Sequence, residues 1–416
     1  MTRKLLFIVL LLLLLFTWWQ FFRTKKSSTI RIGILHSLSG TMALSEKSLV
    51  DAALLAIEEI NNSGGIGGRK IEPVIADGRS NSSIFGREAE RLILEERVST
   101  ILGCWTSASR KSVRPIVEKH NHLLIYPLQY EGVEDSPNIV YTGAAPNQQI
   151  IPAVKWSMDH LGKRFFLVGS DYVFPRTANA IIKDQVAALN GEIVGEEYLL
   201  LGSKDVGPII EKIKQSKPDI ILNTINGDSN IAFFHALRQA NIAPSTIPTM
   251  SFSIAEEELR SMNLEEVAGD YAAWNYFQSL TNPENVGFVS RFKKRYGENR
   301  LTDDPIETAY FSVYLWSQAV AEGENDSVKS IRTRIRDQSF QSPGGIVYVD
   351  ANTLHTWKPV KIGKIRSDGQ FQVVWSSEYA VRPIPFPALR TRAQWNTFLM
   401  HLYTGWGQRW DNPGTK

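Results

Sequence analysis

Short apolar runs alternate with longer segments of helical periodicity over most of this chain. The runs at 30–35, 71–76, 100–102, 123–126, 164–168, 193–198, 220–222, 249–251 and 270–274 are too short for helices and are predicted as strands. Between them, Val50, Ala53, Leu54 and Ile57 recur at helical spacing, and Asn61-Asn62-Ser63-Gly64-Gly65 ends that helix. Val206, Ile209, Ile210 and Ile213 predict another, stopped before Pro218. Pro115 interrupts the helix expected after Trp105, so a kink or a late start is predicted there. Buried strands separated by helices imply α/β architecture, with parallel sheets covered on both faces.

At 416 residues the chain exceeds one ordinary core. Two doubly wound parallel-sheet lobes are therefore expected, with the first crossing between them at 142–147. Phe288, Phe292 and Tyr296 share a helical face, and 306–321 continues as helix, which returns the chain to the first lobe. The later runs at 347–349, 360–365 and 371–375 are strand-like, the last two joined by a turn at Ser367-Asp368-Gly369. The expected division is 29–146 plus 277–345 for lobe 1, and 147–276 plus 346–386 for lobe 2. Residues 387–416 form a C-terminal helical extension. Pro383, Pro385 and Pro387 make an extended linker, Thr391 and Gln394 a capping box, and Trp395, Phe398, Leu399, Leu402 and Tyr403 a helix ended by Gly405. That helix either docks on its own protein or contacts a partner or a membrane.

The N-terminus changes the picture. After Arg3 and Lys4, residues 5–19 are apolar except for Thr17, and Gln20-Phe21-Phe22 lead to the basic Arg23, Lys25 and Lys26. A basic start before such a run is an export signal. No small-x-small cleavage motif follows, no cysteine is there to carry a lipid, and the run extended to Phe22 is about long enough to cross a bilayer. Residues 1–28 are expected to be an uncleaved signal anchor, spanning the cytoplasmic membrane at 5–22 with the body outside; a signal peptide cut at an unobvious site is the alternative. Lys and Arg number 46 against 43 acids, and five of the cations lie in this leader, so the body is nearly neutral and has no nucleic-acid-binding stripe. The single cysteine, Cys104, excludes an internal disulfide.

Polar and aromatic residues gather in loops after strands: His36-Ser37-Leu38-Ser39-Gly40-Thr41, Gly103-Cys104-Trp105-Thr106-Ser107, Tyr126-Pro127-Leu128-Gln129-Tyr130, Ser170-Asp171-Tyr172 and Asn226-Gly227-Asp228. Open α/β sheets bind small ligands at this edge. Rings offer flat faces, hydroxyls and amides offer donors and acceptors, and no loop holds a basic cluster for phosphate. Asp171, Asp228 and Asp304 can accept N–H groups, which suits a small neutral planar amide. Each loop tyrosine is alternatively a core aromatic, Asp171 and Asp228 alternatively cap the helices after them, and Arg176 reads as structural. The seven histidines have no metal-ligand spacing, Cys104 lacks a nucleophile elbow and packs as a small buried thiol, and Gly64-Gly65-Ile66-Gly67-Gly68 runs from helix to strand, the reverse of a phosphate loop. No catalytic residue, metal site or cofactor is expected.

At these loops the chain resembles the urea and short-chain amide substrate-binding proteins of ABC importers, in the branched-chain amino acid and amide class of type I periplasmic binding proteins. The matching words are His36-Ser37-Leu38-Ser39-Gly40-Thr41-Met42-Ala43, Gly103 to Lys111, Tyr141 to Gln149, Gly169 to Asn179, Asn226 to Asn230 and Asp303 to Glu307, in family order between about Arg31 and Pro387. The resemblance implies a Venus-flytrap that closes on urea or a short amide and presents it to an ABC permease, without catalysis. It places ligand contacts at Ser107, Tyr126 and Tyr172; Trp105, Gln129 and Asp228 are added by position and chemistry. The uncleaved leader and the C-terminal helix depart from the family pattern. They leave a regulatory amide sensor on the same fold as the alternative.

Overall fold

The computed structural model describes residues 29–414. The predicted anchor at 1–28 lies outside the described residues, and no described helix is long and apolar enough to cross a membrane.

Five strands open the chain: β1 (Thr29–His36), β2 (Lys70–Asp77), β3 (Ile101–Gly103), β4 (Leu124–Tyr126) and β5 (Ile139–Tyr141). They form one parallel sheet in the order β2-β1-β3-β4-β5. Ile30, Ile32, Ile34 and Leu35 of β1 are buried, as a strand covered on both faces requires. The strands β6 (Arg164–Ser170), β7 (Glu192–Leu199), β8 (Ile220–Thr224), β9 (Thr249–Ser251) and β10 (Tyr271–Trp274) build a second parallel sheet in the order β7-β6-β8-β9-β10. Numbered within its own lobe, each parallel sheet reads 2-1-3-4-5, so the order reverses beside the first strand in both.

Three later strands, β11 (Ser339–Ser342), β12 (Gly345–Val349) and β13 (Thr356–Trp357), make a small antiparallel sheet. The last two, β14 (Lys361–Ile365) and β15 (Phe371–Ser376), extend the second sheet antiparallel beyond β10. The predicted boundary at 346 therefore falls inside β12. Val347, Val349 and Leu354 pack in the first core, and His355 bridges Tyr141 of β5, so the chain rejoins the second sheet only at β14. The physical reason is β11, whose polar text Ser-Phe-Gln-Ser gave no strand signal yet pairs with β12.

Helix Ala43–Asn62 lies against β1 and β2 on one side and helix Asp304–Gly323 on the other. The buried Ala52, Ala53 and Ala56 keep these helices close, and Tyr310 and Tyr314 both donate to Glu59 at 2.6 Å. The helix after Trp105 begins at Ser107 without delay. Thr106 caps it, accepting the Ser109 amide at 3.1 Å, and buried ion pairs hold its first two turns, so Pro115 is accommodated inside it.

The chain crosses between sheets three times, and one residue ties the crossings. Asn275 of the second crossing donates to Gln148 O of the first at 3.0 Å and to Pro359 O of the third at 2.6 Å. Lys361 returns a bond to Asn275 O at 2.8 Å. The C-terminal helix, Arg392–Gly405, carries the predicted capping box, with the Thr391 amide donating to Gln394 Oε1 at 2.8 Å. It docks on its own protein: Trp395 and Leu399 are buried in the second core.

Candidate functional site

In open α/β sheets ligands bind beyond the strand C-termini where the order reverses. In the first sheet that point lies between β1 and β3, and the chain leaving them supplies Ser37 and Trp105-Thr106. In the second it lies between β6 and β8, which supply Tyr172 and Asn226.

The tightness of the first turn depends on Gly103, since a Cβ there would meet Leu35 O at 2.0 Å. Cys104 follows at φ 67° with its amide on Leu35 O. Burial pushes its thiol far above the usual range, so it is no nucleophile.

The two edges face and touch. Trp105 donates its indole N–H to Asn226 Oδ1 at 3.5 Å, Thr41 its hydroxyl to Asp228, and Gln129 its amide to Phe252 O at 3.1 Å. Ser45 donates to Glu258 Oε1 at 2.6 Å. These four bonds join the lobes in a closed arrangement. Between them lies a cavity of ≈ 20 Å³, lined in part by Ser37, Glu46, Thr106, Ser109, Tyr172 and Asp411. A single water needs about 10–15 Å³ in the same measure, so in this closed arrangement the space is that of one or two waters.

Of the predicted site residues, Tyr172 is the one that lines this cavity. Its side chain is 2% exposed, and no described residue bonds its hydroxyl. Burial, reinforced by Tyr126 and Glu131, raises that hydroxyl well above its usual range, so it remains a donor.

The other predicted residues have protein partners. Ser107 is held by Glu131 and by Arg110 at 2.9 Å. Tyr126 donates to Trp105 O at 2.6 Å, fixing the turn from below. Trp105 and Asp228 make the cross-lobe bonds above, and Asp228 sits at the N-cap of helix Ser229–Gln239 without a side-chain capping bond. Gln129 leaves its Oε1 buried and unpaired. Arg176 is structural, as expected, with Nε on Asp171 at 2.7 Å and its guanidinium 3.6 Å from the Tyr198 ring centre.

Two features escaped the sequence reading. Glu46 lies inside helix Ala43–Asn62, not in a loop, and its Oε2 accepts from Ser37 N at 2.7 Å and pairs with His36 Nδ1 at 3.1 Å. Its signal was a charge on the apolar stripe, four residues before Val50. The second is a buried network beneath the Trp105 turn. Arg110 spans Glu131 at 3.0 Å and Glu134 at 2.9 Å, and Lys111 reaches Glu134 at 2.7 Å. Among the described residues no group of three or more His, Cys, Asp or Glu is placed to hold a metal.

The arrangement recurs in known proteins. The chain is 22% identical over 347 residues to a Leu/Ile/Val-binding protein homolog of Brucella melitensis, covering 82% of this chain and 88% of that one. A solute binding protein of an R. palustris ABC transporter, solved with 4-hydroxybenzoate, superposes with a TM-score of 0.76 at 22% identity, over 85% of this chain and 98% of that one. A branched-chain amino acid transporter substrate binding protein from Streptococcus pneumoniae, solved with isoleucine, gives 0.73 at 21% identity, over 85% and 100%. A limonene hydroxylase of Geobacillus stearothermophilus is 35% identical over 130 residues only, and the match spans 31% of this chain and 23% of that protein. Both solved relatives are, by their own descriptions, binding proteins of transporters. The periplasmic binding protein domain family matches residues 30–392, so the chain belongs to that family.

Proposed function

We propose that the interlobe cavity takes urea or a short-chain amide and that the chain, tethered to the membrane by residues 5–22, presents it to an ABC permease. The observation that carries this reading is the pairing of size and chemistry in one cavity. Its volume is ≈ 20 Å³ and its lining includes Tyr172 and Glu46. Met42, Phe85, Ala108 and Leu201 line it beside Ser37, Glu46, Thr106, Ser109 and Tyr172, and a space so small leaves no room for a benzoate ring or an isoleucine side chain.

Isothermal titration with urea, acetamide, formamide, isoleucine and 4-hydroxybenzoate tests the reading, with ammonia assayed in the same samples. Urea or a short amide is expected to bind without ammonia release, and Tyr172→Phe to weaken binding by roughly threefold to tenfold, the worth of one neutral hydrogen bond. Binding of isoleucine or the benzoate with none of the amides would overturn it.

A further inference from the structure

We propose that the C-terminal segment after Gly405 is a clasp, which holds the two lobes shut over the cavity and must lift for ligand to pass. This rests on the cavity being the ligand site, though the clasp itself is a statement about the lobes. The helix before it is fixed to the second lobe. Trp395 and Leu399 are buried in that core, and Arg390 pairs with Asp184 at 2.6 Å.

Past the helix the chain reverses through Gly407 (φ 66°) and Gln408 (φ 63°), consecutive left-handed residues, with Gln408 N on Tyr403 O at 2.8 Å. The reversal brings 410–412 back to the cleft as a short strand-like strip. Trp410 O accepts the Val173 amide at 3.0 Å, Asp411 bridges Tyr172 antiparallel, and the Asn412 amide donates to Asp171 O at 3.0 Å. Asn412 Nδ2 adds a bond to Asp171 Oδ2 at 2.6 Å. The strip is therefore laid on Tyr172 itself, and Asp411 joins residues of both lobes in the cavity wall.

The same segment reaches the first lobe. Lys111 Nζ lies 4.8 Å from the centre of the Trp410 ring, and at the other end of the helix Arg392 pairs with Asp135 at 2.7 Å. Around the Trp410 contact the packing is open. A cavity of ≈ 420 Å³ lies between the tip and Arg87, Ser112 and Ile116, and one of ≈ 540 Å³ between it and Arg114, Glu118 and Met400. A segment held by a few bonds with open space beside it can detach without unpacking a core. A passive C-terminal anchor would need only the buried Trp395 face and would have no reason to double back to the binding edge.

The test uses the full chain carrying Trp410→Ala, which removes the first-lobe contact, or Asn412→Ala, which removes the side-chain bond to Asp171 and leaves the backbone bonds. Small-angle scattering without ligand is expected to show a larger radius of gyration in both variants than in the native protein. Stopped-flow binding of urea at sub-denaturing concentrations is expected to show association and dissociation both faster, by about tenfold for dissociation. Trp410→Phe, which keeps a ring over Lys111, is expected to stay close to native. Unchanged scattering together with unchanged rates overturns the clasp. In the native chain, hydrogen exchange at the Val173 and Asn412 amides is expected to slow together when urea saturates; ligand-independent exchange while urea binds also overturns it. Should no amide bind, scattering alone decides: expansion in the variants keeps the clasp while the urea reading falls, and unchanged scattering removes both.

Discussion

Two groups of buried charge flank the cleft and are organised in opposite ways. Under the Trp105 turn, Arg110, Lys111 and the edge of Arg114 answer Glu131 and Glu134, and the Arg110 guanidinium also stacks 4.8 and 4.6 Å from the Tyr126 and Tyr130 ring centres. Beside the crossings, Glu256, Glu258 and Asp303 are buried together with few cations facing them. Glu256 accepts the Gln278 amide at 2.7 Å, and its other oxygen is unpaired. Glu258 accepts from Ser45 and the Ala255 amide, Asp303 from the Ile306 amide, and Glu257 pairs with Arg260 at 2.9 Å, with Arg300 and Asp51 nearby. Asp304 and Glu307 add further acids, answered by Lys358 at 3.5 Å from Asp304. Burial alone would raise Glu134, yet Arg110, then Lys111 and Arg114, hold its carboxyl far below the usual range. Burial raises Glu256 to about 8, helped by the Glu258 and Asp304 carboxylates, and raises Glu258 and Asp303 as well. The difference teaches that burial within one lobe can be compensated permanently by fixed cations. Between the lobes, where Glu258 meets Ser45 of the first-lobe helix, few cations answer the acids and burial raises their carboxyls instead.

The comparison breaks most forcefully at Arg110. Arg110→Met keeps the volume but leaves Glu131 and Glu134 short of a cation, and loss of one partner from a buried ionic network costs about 3–5 kcal/mol. Guanidinium unfolding at neutral pH should show a loss of that order; urea is unsuitable here because it is the proposed ligand. A loss comparable to that of a surface charge would mean that water or Lys111 already balances the pair.

At Glu256 the same kind of substitution should act with the opposite sign. A carboxyl raised to about 8 in the folded protein binds a proton that the unfolded chain, near 4.5, has released. Stability contributed by this group is therefore complete below about 4.5 and is lost as the pH rises toward 8. Glu256→Gln removes the titration, so its melting temperature should exceed that of the native chain at pH 8.5 and approach it at pH 4.5. Parallel melting curves for the two proteins across that range would show that Glu256 is not the group responsible. Glu134 has the contrary dependence: its depressed carboxyl contributes stability above about 4.5 that is lost in acid.

Much of this organisation is legible in the text, and the illegible parts share a cause. Runs such as 30–35 and 249–251 announce strands because their apolar residues need no partner to be recognised. Residues 139–141, 339–342 and 356–357 were not predicted as strands; they are short or polar and become strands only by pairing with β4 and β12. Arg110 and Lys111 sit in a text that reads as a solvated helix face, and nothing local says that Glu131 and Glu134 will lie under them. Tyr172 was visible from its place after a strand, whereas Glu46 and Asp411 belong to the cavity through tertiary packing alone.

The mildest test concerns closure itself. Thr41 and Asp228 meet across the lobes through one hydroxyl-to-carboxylate bond. A hydrogen bond to a charged group is worth about 1.5–3 kcal/mol where it is buried, and less where water competes, as at this half-exposed pair. Thr41→Ala is expected to reduce ligand affinity by a few-fold while leaving the unfolding midpoint nearly unchanged, because the bond exists only when the lobes are together. Titration and thermal unfolding on the same sample separate the two effects. An equal fall in both would place Thr41 with the permanent framework, alongside Arg110. A fall in affinity alone would place it with Ser45 and Glu258, among the contacts that are made and broken with each closure of the cleft.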